Sequence, residues 1–224
     1  VGAGDGLSAS VARVFAQDGH MRIALAARNP GKLAGLAKEL GAYALECDVS
    51  DRSQVEKMFA RADECFGASP DVVVYNPSYR VRGPILEVDP GEVAKALAVT
   101  AYGGFLVAQQ AAKRMVSRGN GAILFTGASA SVKGYAQSAP FAMGKFALRG
   151  LAQSMARELG PKGIHVAHFV IDGGIRSATR VDAENSPESL LDPAAIAESY
   201  WHVLGQPRSA WAWELELWPW VERF

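Results

Sequence analysis

Hydrophobic and polar positions follow two periods along this chain, one typical of strands and one typical of helices. Apolar runs of strand length predict six strands, and several of them are apolar at nearly every position, as parallel strands covered on both faces are. The predicted strands are Met21–Ala27, Ala42–Cys47, Asp71–Tyr75, Gly121–Thr126, Ile164–Ile171 and Trp211–Leu217. Helical spacing covers Pro90–Arg118 and Ala139–Leu159, and Asp51 stands where it can cap a further helix.

Alternation of strands with helices indicates βαβ units, so we expect an α/β fold with a doubly wound parallel sheet, the Rossmann arrangement. The length suits one domain, and we expect residues 1–224 to form it. The chain opens at Val1 inside what reads as a strand-to-helix turn, so the first strand is expected to be truncated in this sequence. The polar segment Gly173–Leu191 is expected to be a lid over the site, with a plain surface loop as the alternative.

Charge and composition exclude several classes of partner. Lys and Arg total 23 and Asp and Glu total 23, so there is no electrostatic argument for binding nucleic acid or an anionic membrane. No apolar run approaches the roughly 18 residues of a membrane span. The cysteines, Cys47 and Cys65, are too few for a disulfide framework. They fit two free thiols in a reducing compartment, and we expect a cytoplasmic protein.

A glycine-rich run from Gly2 to Ser8 leads directly into the first predicted helix. Glycines let a pyrophosphate approach the backbone, and the helix N-terminus supplies free N–H groups and a positive dipole end. The next strand ends in Ala27 and Arg28, where an NAD site usually has an acidic residue for the ribose 2′-hydroxyl. A guanidinium there can pair with a 2′-phosphate, so we expect NADP(H) rather than NAD(H). The alternative is that Arg28 is a solvated surface charge.

The order and spacing of five motifs resemble those of the short-chain dehydrogenase/reductase family over essentially the whole chain. Gly2, Gly6 and Ser8 match the family's T-G-x-x-x-G-x-G turn, with Ser8 in place of the third glycine. Asp48 and Val49 resemble its Asp-Val pair after the third strand. The other similar segments are Tyr75-Asn76-Pro77-Ser78, where the family has N-N-A-G, Asp172-Gly173-Gly174-Ile175-Arg176-Ser177, where it has P-G-x-I/V-x-T, and Phe141-Ala142-Met143-Gly144-Lys145, where it has Y-x-x-x-K.

The resemblance implies a role for each matching position in cofactor binding. Asp48 would bond the adenine amino group, the Ile175 backbone would meet the nicotinamide amide, and Ser177 would replace a threonine. Lys145 would hold the ribose. The cofactor-binding residues expected in this way are Gly2, Gly4, Gly6, Leu7, Arg28, Asp48, Val49, Asn76, Lys145, Ile175 and Ser177.

Family enzymes use an Asn-Ser-Tyr-Lys set, in which the tyrosine transfers the proton as hydride moves. Here Lys145 is retained, but Phe141 stands at the tyrosine position and has no hydroxyl. Ala128 occupies the serine position, unless a loop shorter by one residue brings Ser129 there. Thr100 corresponds to the asparagine. The ordinary mechanism is therefore not available, and losing the proton-transfer group alone costs about 10²–10⁴-fold in rate.

Two hypotheses remain open at this stage. The first is an NADP(H)-dependent oxidoreductase that acts on a small-molecule carbonyl or alcohol by an atypical site. The second is a catalytically inactive NADP(H)-binding sensor or scaffold. Lys145 is too basic to donate a proton near neutral pH unless its surroundings shift its pKa strongly. Tyr135 and Tyr79 are the alternative donors.

Two further features are interpreted as having no catalytic role. His165 and His168 fall on opposite faces of one predicted strand, so we interpret both as structural and expect no metal site. The C-terminal strand is followed by clustered tryptophans, which suit an interface. Because the family pairs subunits through two long helices and this strand, the resemblance implies a homodimer or homotetramer.

Overall fold

The computed structural model describes residues 1–222. Its strands are β1 (Ala24–Ala27), β2 (Tyr43–Glu46), β3 (Val72–Tyr75), β4 (Gly121–Thr126), β5 (Ile164–Ile171) and β6 (Glu214–Leu217). Its helices are α1 (Leu7–Gln17), α2 (Ala34–Leu40), α3 (Arg52–Phe66), α4 (Pro90–Leu97), α5 (Gly103–Val116), α6 (Ala139–Leu159) and α7 (Pro193–Leu204).

Every strand pair is parallel, which confirms the α/β prediction. β1 pairs with β2, and β3, β4, β5 and β6 form a second sheet in that order. Helices α3, α5 and α6 bury their apolar sides against one face of the strands, while α1 and α7 cover the other face. The eight residues of β5 are all buried, as expected of a strand covered on both faces.

The two sheets approach each other at Val1. Its amino group donates to the Val74 carbonyl at 2.7 Å, its carbonyl accepts from the Asn76 N–H at 3.0 Å, and the next N–H, of Gly2, donates to Ala26 at 2.9 Å. A cavity of about 410 Å³ separates β1 from β3 on the far side of Val1. The truncated first strand was predicted at this place, and it stays a prediction.

Five predicted elements differ from the structure in their bounds or continuity. The strands predicted from Met21 and from Trp211 begin three residues later, at Ala24 and Glu214. The strand predicted over Ala42–Cys47 is one residue shorter at each end, and the one predicted from Asp71 begins one residue later. The helix predicted over Pro90–Arg118 contains a π-helical segment at Ala98–Tyr102, which joins α4 to α5. Such segments disturb the regular ladder of helix hydrogen bonds and often occur at functional sites. The predicted cap is confirmed, because the Asp51 carboxylate accepts from the N–H groups of Ser53 and Gln54.

The carboxyl ends of all the strands lie at one edge, because the strands are parallel. Ligands in open parallel sheets bind at that edge. The residues that follow β1, β2, β3, β4 and β5 there include Arg28, Asp48, Asn76, Ser129 and Asp172. Within residues 1–222 no helix has the length and apolar character needed to cross a bilayer.

Candidate functional site

The glycine turn before α1 contains glycines with two different physical roles. Gly2 has a φ of +77°, and a Cβ there would come within 2.6 Å of the Pro77 nitrogen, so no other residue fits without a shift of the backbone. A Cβ on Gly4 or Gly6 would meet no atom within 4 Å. These two glycines leave the backbone open on one side, which is the shape needed for a pyrophosphate to approach it closely.

The N-terminus of α1 is uncapped by any side chain. Gly6 occupies the cap position, and the first turn from Leu7 carries no acidic residue. Its backbone N–H groups are therefore available to an anion. Ser8 donates to the Gly2 carbonyl at 3.3 Å and accepts from Asn76 at 2.7 Å. The Asn76 side chain thus holds the turn in place from the end of β3.

Arg28 and Asp48 lie at the ends of β1 and β2, which are paired strands. Asp48 accepts from the N–H and the hydroxyl of Ser50, at 2.9 Å and 2.6 Å. These bonds hold the pKa of Asp48 below its ordinary value, and the positive charge of Arg28 adds to the effect. The side chain of the next residue, Val49, is buried against Gly103, so only its backbone can face a nucleotide.

The segment after β5 carries Ile175 and Ser177. Leu191 forms a parallel bridge with Ile175, in which its backbone bonds to the residues on either side, Gly174 and Arg176. The N–H and carbonyl of Ile175 itself point away from Leu191, because a parallel pair alternates its bonding direction. The exposed Ser177 hydroxyl lies 3.4 Å from that of Thr179.

Lys145 is a buried and strongly perturbed group of the site. Its side chain is only 3% exposed, and its ammonium donates to the Thr126 carbonyl at 2.8 Å. Burial lowers the pKa of Lys145 from 10.5 to about 8. The strong environmental shift that proton donation near neutral pH requires is therefore present.

Phe141 and Ser129 line one cleft, together with Tyr135. The Lys145 nitrogen lies 6.0 Å from the centre of the Phe141 ring, so the two residues of α6 face the same region. Ala128 does not line the cleft, and its N–H donates to the hydroxyl of Ser131. The structure thus brings Ser129, rather than Ala128, next to Phe141.

Thr100 lies in the π-helical segment and is buried. Its hydroxyl accepts from the Tyr79 N–H at 3.2 Å, and a Cβ on Gly144 would come within 3.0 Å of its own Cβ. Tyr79 donates its phenol to Glu92 at 2.7 Å, and Lys95 lies over its ring. Among the alternative proton donors, Tyr79 is therefore engaged outside the cleft, whereas Tyr135 lines it.

A buried polar chain runs beneath the loop that follows β4. Ser131 lies 3.3 Å from Nε2 of His168, and Nδ1 of His168 lies 3.0 Å from Glu214, which also forms a two-pronged ion pair with Arg149. Burial lowers the pKa of His168 to about 4, so the ring is neutral at pH 7. Gly127 passes directly over this ring, and a Cβ there would collide with it. The interpretation of both histidines as structural fits this geometry, because His165 stacks on a tryptophan ring.

Two arginines in the cleft wall, and a third near them, were missed by sequence reasoning. Arg80 and Arg82 line the cleft, and the Arg80 guanidinium lies 5.0 Å from the centre of the Phe141 ring. Arg180 belongs to the segment expected to be a lid, and its charge acts on Arg80. The alternating order Arg80-Val81-Arg82 in the segment after β3 was the available signal, because it places both guanidinium groups on one side of an extended chain. Among residues 1–222 no cluster of three metal-ligating side chains occurs.

Comparison with known proteins agrees with the geometry. A family model described as short chain dehydrogenase matches residues 1–188. An uncharacterized oxidoreductase of Staphylococcus aureus (strain N315) is 24% identical over 210 residues, covering 92% of this chain and 90% of that protein. The 3-oxoacyl-(acyl-carrier-protein) reductase MabA of Mycobacterium tuberculosis (strain ATCC 25618 / H37Rv) is 29% identical over 174 residues, covering 78% of this chain and 67% of that protein.

Solved structures share the fold over almost all of the chain. A short-chain dehydrogenase from Rhodopseudomonas palustris is 37% identical with a TM-score of 0.83, covering 98% of this chain and 96% of that chain. An alcohol dehydrogenase from the archaeon Thermococcus sibiricus, complexed with 5-hydroxy-NADP, has a TM-score of 0.86 at 24% identity, covering 97% of this chain and 94% of that chain. At that identity the second likeness concerns the fold alone.

Proposed function

Because this chain belongs to the short-chain dehydrogenase family, we propose that it is an NADP(H)-dependent oxidoreductase that interconverts a small-molecule carbonyl compound and its alcohol. The observation that carries the proposal is Lys145, a buried ammonium with a pKa of about 8 whose nitrogen lies 6.0 Å from the centre of the Phe141 ring, which lines the cleft. Lys145 supplies the proton that a tyrosine supplies in the family pattern.

The residues at the strand edge fit a nicotinamide dinucleotide. Gly4 and Gly6 leave room for a pyrophosphate at an uncapped helix N-terminus, and the Ile175 backbone is free of its neighbours on one side. When bound, the cofactor supplies or accepts the hydride. We favour NADP(H), because Arg28 stands at the end of β1 where an acidic residue would select NAD(H).

Three residues of this chain have the other roles in carbonyl reduction. The Lys145 ammonium holds the transferable proton, while Phe141 gives the cleft an apolar wall next to it. The Ser129 hydroxyl, which lines the same cleft, orients the carbonyl oxygen in place of the serine that Ala128 lacks. An ammonium with a pKa near the working pH is an effective general acid. Reduction is therefore fastest below pH 8 and slows as the pH rises through that value.

The test is NADPH oxidation by the purified chain over a panel of aldehydes and ketones. Wild type is expected to turn over at least one of them, and Lys145→Met to lose about 10²–10⁴-fold of that rate. Phe141→Tyr restores the family's tyrosine in a cleft that Ser129 already lines. If wild type binds NADPH tightly without turnover and Phe141→Tyr gains activity, the inactive sensor or scaffold is the correct function.

We also propose that the chain is one domain with a lid at residues 173–191 and that it forms a homodimer or homotetramer. The supporting feature is an exposed apolar surface on the α5 and α6 side, formed by Tyr102, Phe105, Met143 and Phe146. Exposed apolar patches of this kind mark protein interfaces. Size-exclusion chromatography with light scattering tests it, and a monomer at high concentration contradicts it.

A further inference from the structure

The cleft beside Phe141 has a volume of about 230 Å³ and an unusual charge. Its walls are Arg80, Arg82, Ser129, Ala130, Tyr135, Ala136, Gln137, Ser138 and Phe141, and none of these side chains is acidic. Two guanidinium groups therefore face a small space that contains hydroxyl and amide groups but no carboxylate. Such a space concentrates positive potential because nothing in its walls neutralises it.

A backbone hydrogen bond closes the outer side of the cleft. The Gly83 N–H donates to the Gln137 carbonyl at 3.0 Å, which joins the segment carrying Arg80 and Arg82 to the loop carrying Tyr135. Gln137 has a φ of +58°, a conformation that glutamine seldom adopts. The two walls are thus held at a defined distance.

Arg80, Arg82 and Arg180 have no acidic partner, since no carboxylate of residues 1–222 lies within ion-pair distance of them. Half of the arginines within residues 1–222 do form ion pairs, and these are Arg13, Arg52, Arg61, Arg114, Arg118, Arg149 and Arg176. Burial, followed by the charges of Arg82 and Arg180, lowers the pKa of Arg80.

Arg180 reaches the same region from the opposite side. Its Cδ and Nη1 lie 3.4 Å and 3.5 Å from where a Cβ of Gly174 would be, directly beside Ile175. The charge of Arg180 acts on Arg80, so the lid segment and the segment after β3 bring like charges together. Arg80 over the Phe141 ring, Arg82 in the cleft wall and Arg180 beside Gly174 thus form one positively charged region.

We propose that this cleft selects a small carbonyl substrate that carries an anionic group, a carboxylate or a phosphate ester, bound by Arg80 and Arg82 and covered by Arg180. The inference rests on the proposed function, whose substrate class it names. A guanidinium binds a carboxylate or phosphate with two parallel hydrogen bonds, and an anion here removes the repulsion among the three cations. The apolar Phe141 ring, stacked under Arg80, leaves the guanidinium edge free for the ligand.

Matched substrate pairs test the charge directly. The pairs are 2-oxobutanoate with 2-oxobutanamide, and dihydroxyacetone phosphate with dihydroxyacetone, assayed with NADPH at low ionic strength. We expect kcat/KM to be at least about tenfold higher for the charged member of one pair, and the pair that responds distinguishes carboxylate from phosphate. Arg80→Gln, Arg82→Gln and Arg180→Gln should each lower the charged-to-neutral ratio about tenfold. Arg157→Gln, the same change on the exposed far end of α6, is the matched control.

Binding without turnover supplies the second readout. Oxalate and inorganic phosphate are titrated onto the NADPH complex, and the melting temperature is followed in wild type, Arg157→Gln and the double variant with Arg80→Gln and Arg82→Gln. We expect at least one anion to stabilise the first two and not the third. Arginine-dependent binding with no turnover of any carbonyl supports the anion site and contradicts the proposed function. Turnover of neutral substrates with an unchanged charged-to-neutral ratio in the variants, or stabilisation equal in all three proteins, overturns the anion site alone.

Discussion

The glycine turn before α1 and the cleft beside Phe141 lie at the same edge of the sheet, yet they are built from different groups. The turn offers backbone N–H groups and space left by absent side chains, at Gly4 and Gly6. The cleft is made of side chains, among them Arg80, Arg82 and Phe141. A site made of backbone N–H groups can still bind its ligand after side chains elsewhere are substituted, whereas the chemistry of the cleft changes with its side chains. Binding and chemistry can therefore be altered separately in this molecule.

The largest effect is expected at the backbone site. Gly4→Val places a branched side chain into the space in front of the turn and should weaken NADPH binding about 10³-fold, or about 4 kcal/mol. The melting temperature should remain near that of wild type, because the new Cβ meets no protein atom within 4 Å. Fluorescence titration with NADPH measures the affinity. Gly35→Val, at another open glycine, is the control, and equal affinity in Gly4→Val would place the pyrophosphate elsewhere.

The next effect concerns the free-energy cost of burying the Lys145 ammonium. Below pH 8 Lys145 is charged in both the folded and the unfolded chain, and folding carries the cost of burying it. From pH 8 to 10.5 only the folded chain has lost the proton, so stability rises with pH. Lys145→Met should therefore raise the free energy of unfolding at pH 7 by about 2–3 kcal/mol. Urea unfolding measures it, and a gain that fails to shrink by pH 11 contradicts this origin.

A smaller effect is expected from the polar chain beneath the cleft. The folded pKa of His168, about 4, lies below its ordinary value of 6.5, so acid protonates the unfolded chain first and stability falls as the pH drops below 6.5. Between pH 6.5 and 5 this group alone should cost about 2 kcal/mol. His168→Gln should flatten that part of the pH profile of urea unfolding. The control is His202→Gln, at an exposed histidine of α7, which should leave the pH profile unchanged. Identical profiles for both variants would show that His168 is not the origin of the pH dependence.

The smallest effect is the choice between cofactors. Arg28→Gln should reduce the preference for NADPH over NADH about tenfold, or about 1.4 kcal/mol, because one charged contact to the 2′-phosphate is lost. Steady-state kinetics with both cofactors at saturating substrate measures the ratio. An unchanged ratio, with Arg157→Gln as the reference, would mean that Arg28 is a solvated charge and that the turn binds either cofactor.

Much of the fold could be predicted, because its elements have strong periodic patterns. The bounds of β4, β5 and α6 agree with prediction, since each is bordered by turn residues and packs along its whole length. β1 and β6 begin later than predicted, because regular pairing starts only at Ala24 and Glu214, although the carbonyls of Ile23 and Trp213 each accept one backbone hydrogen bond from the neighbouring strand. The π-helical segment Ala98–Tyr102 could not be predicted from hydrophobic periodicity, since it only changes the hydrogen-bond pattern inside a continuous helix.

The candidate site was predictable only where a local motif carries it. The glycine turn is contiguous, so its form follows from Gly2 to Leu7. The pKa of Lys145 depends on how completely the fold buries the side chain, and the motif from Phe141 to Lys145 contains no information on that burial. The cleft joins Arg80 and Arg82 to Ser129 and Phe141, about 50 to 60 positions away, and only folding brings them together.

The close contact between Gly127 and His168 restricts which residues homologous proteins can have at position 127. A Cβ at position 127 would collide with the imidazole and would also come within 2.8 Å of the Phe169 carbonyl oxygen, which accepts from the Gly127 N–H. A smaller residue at position 168 removes only the first of these contacts. Across homologous sequences position 127 should therefore stay glycine even where position 168 changes.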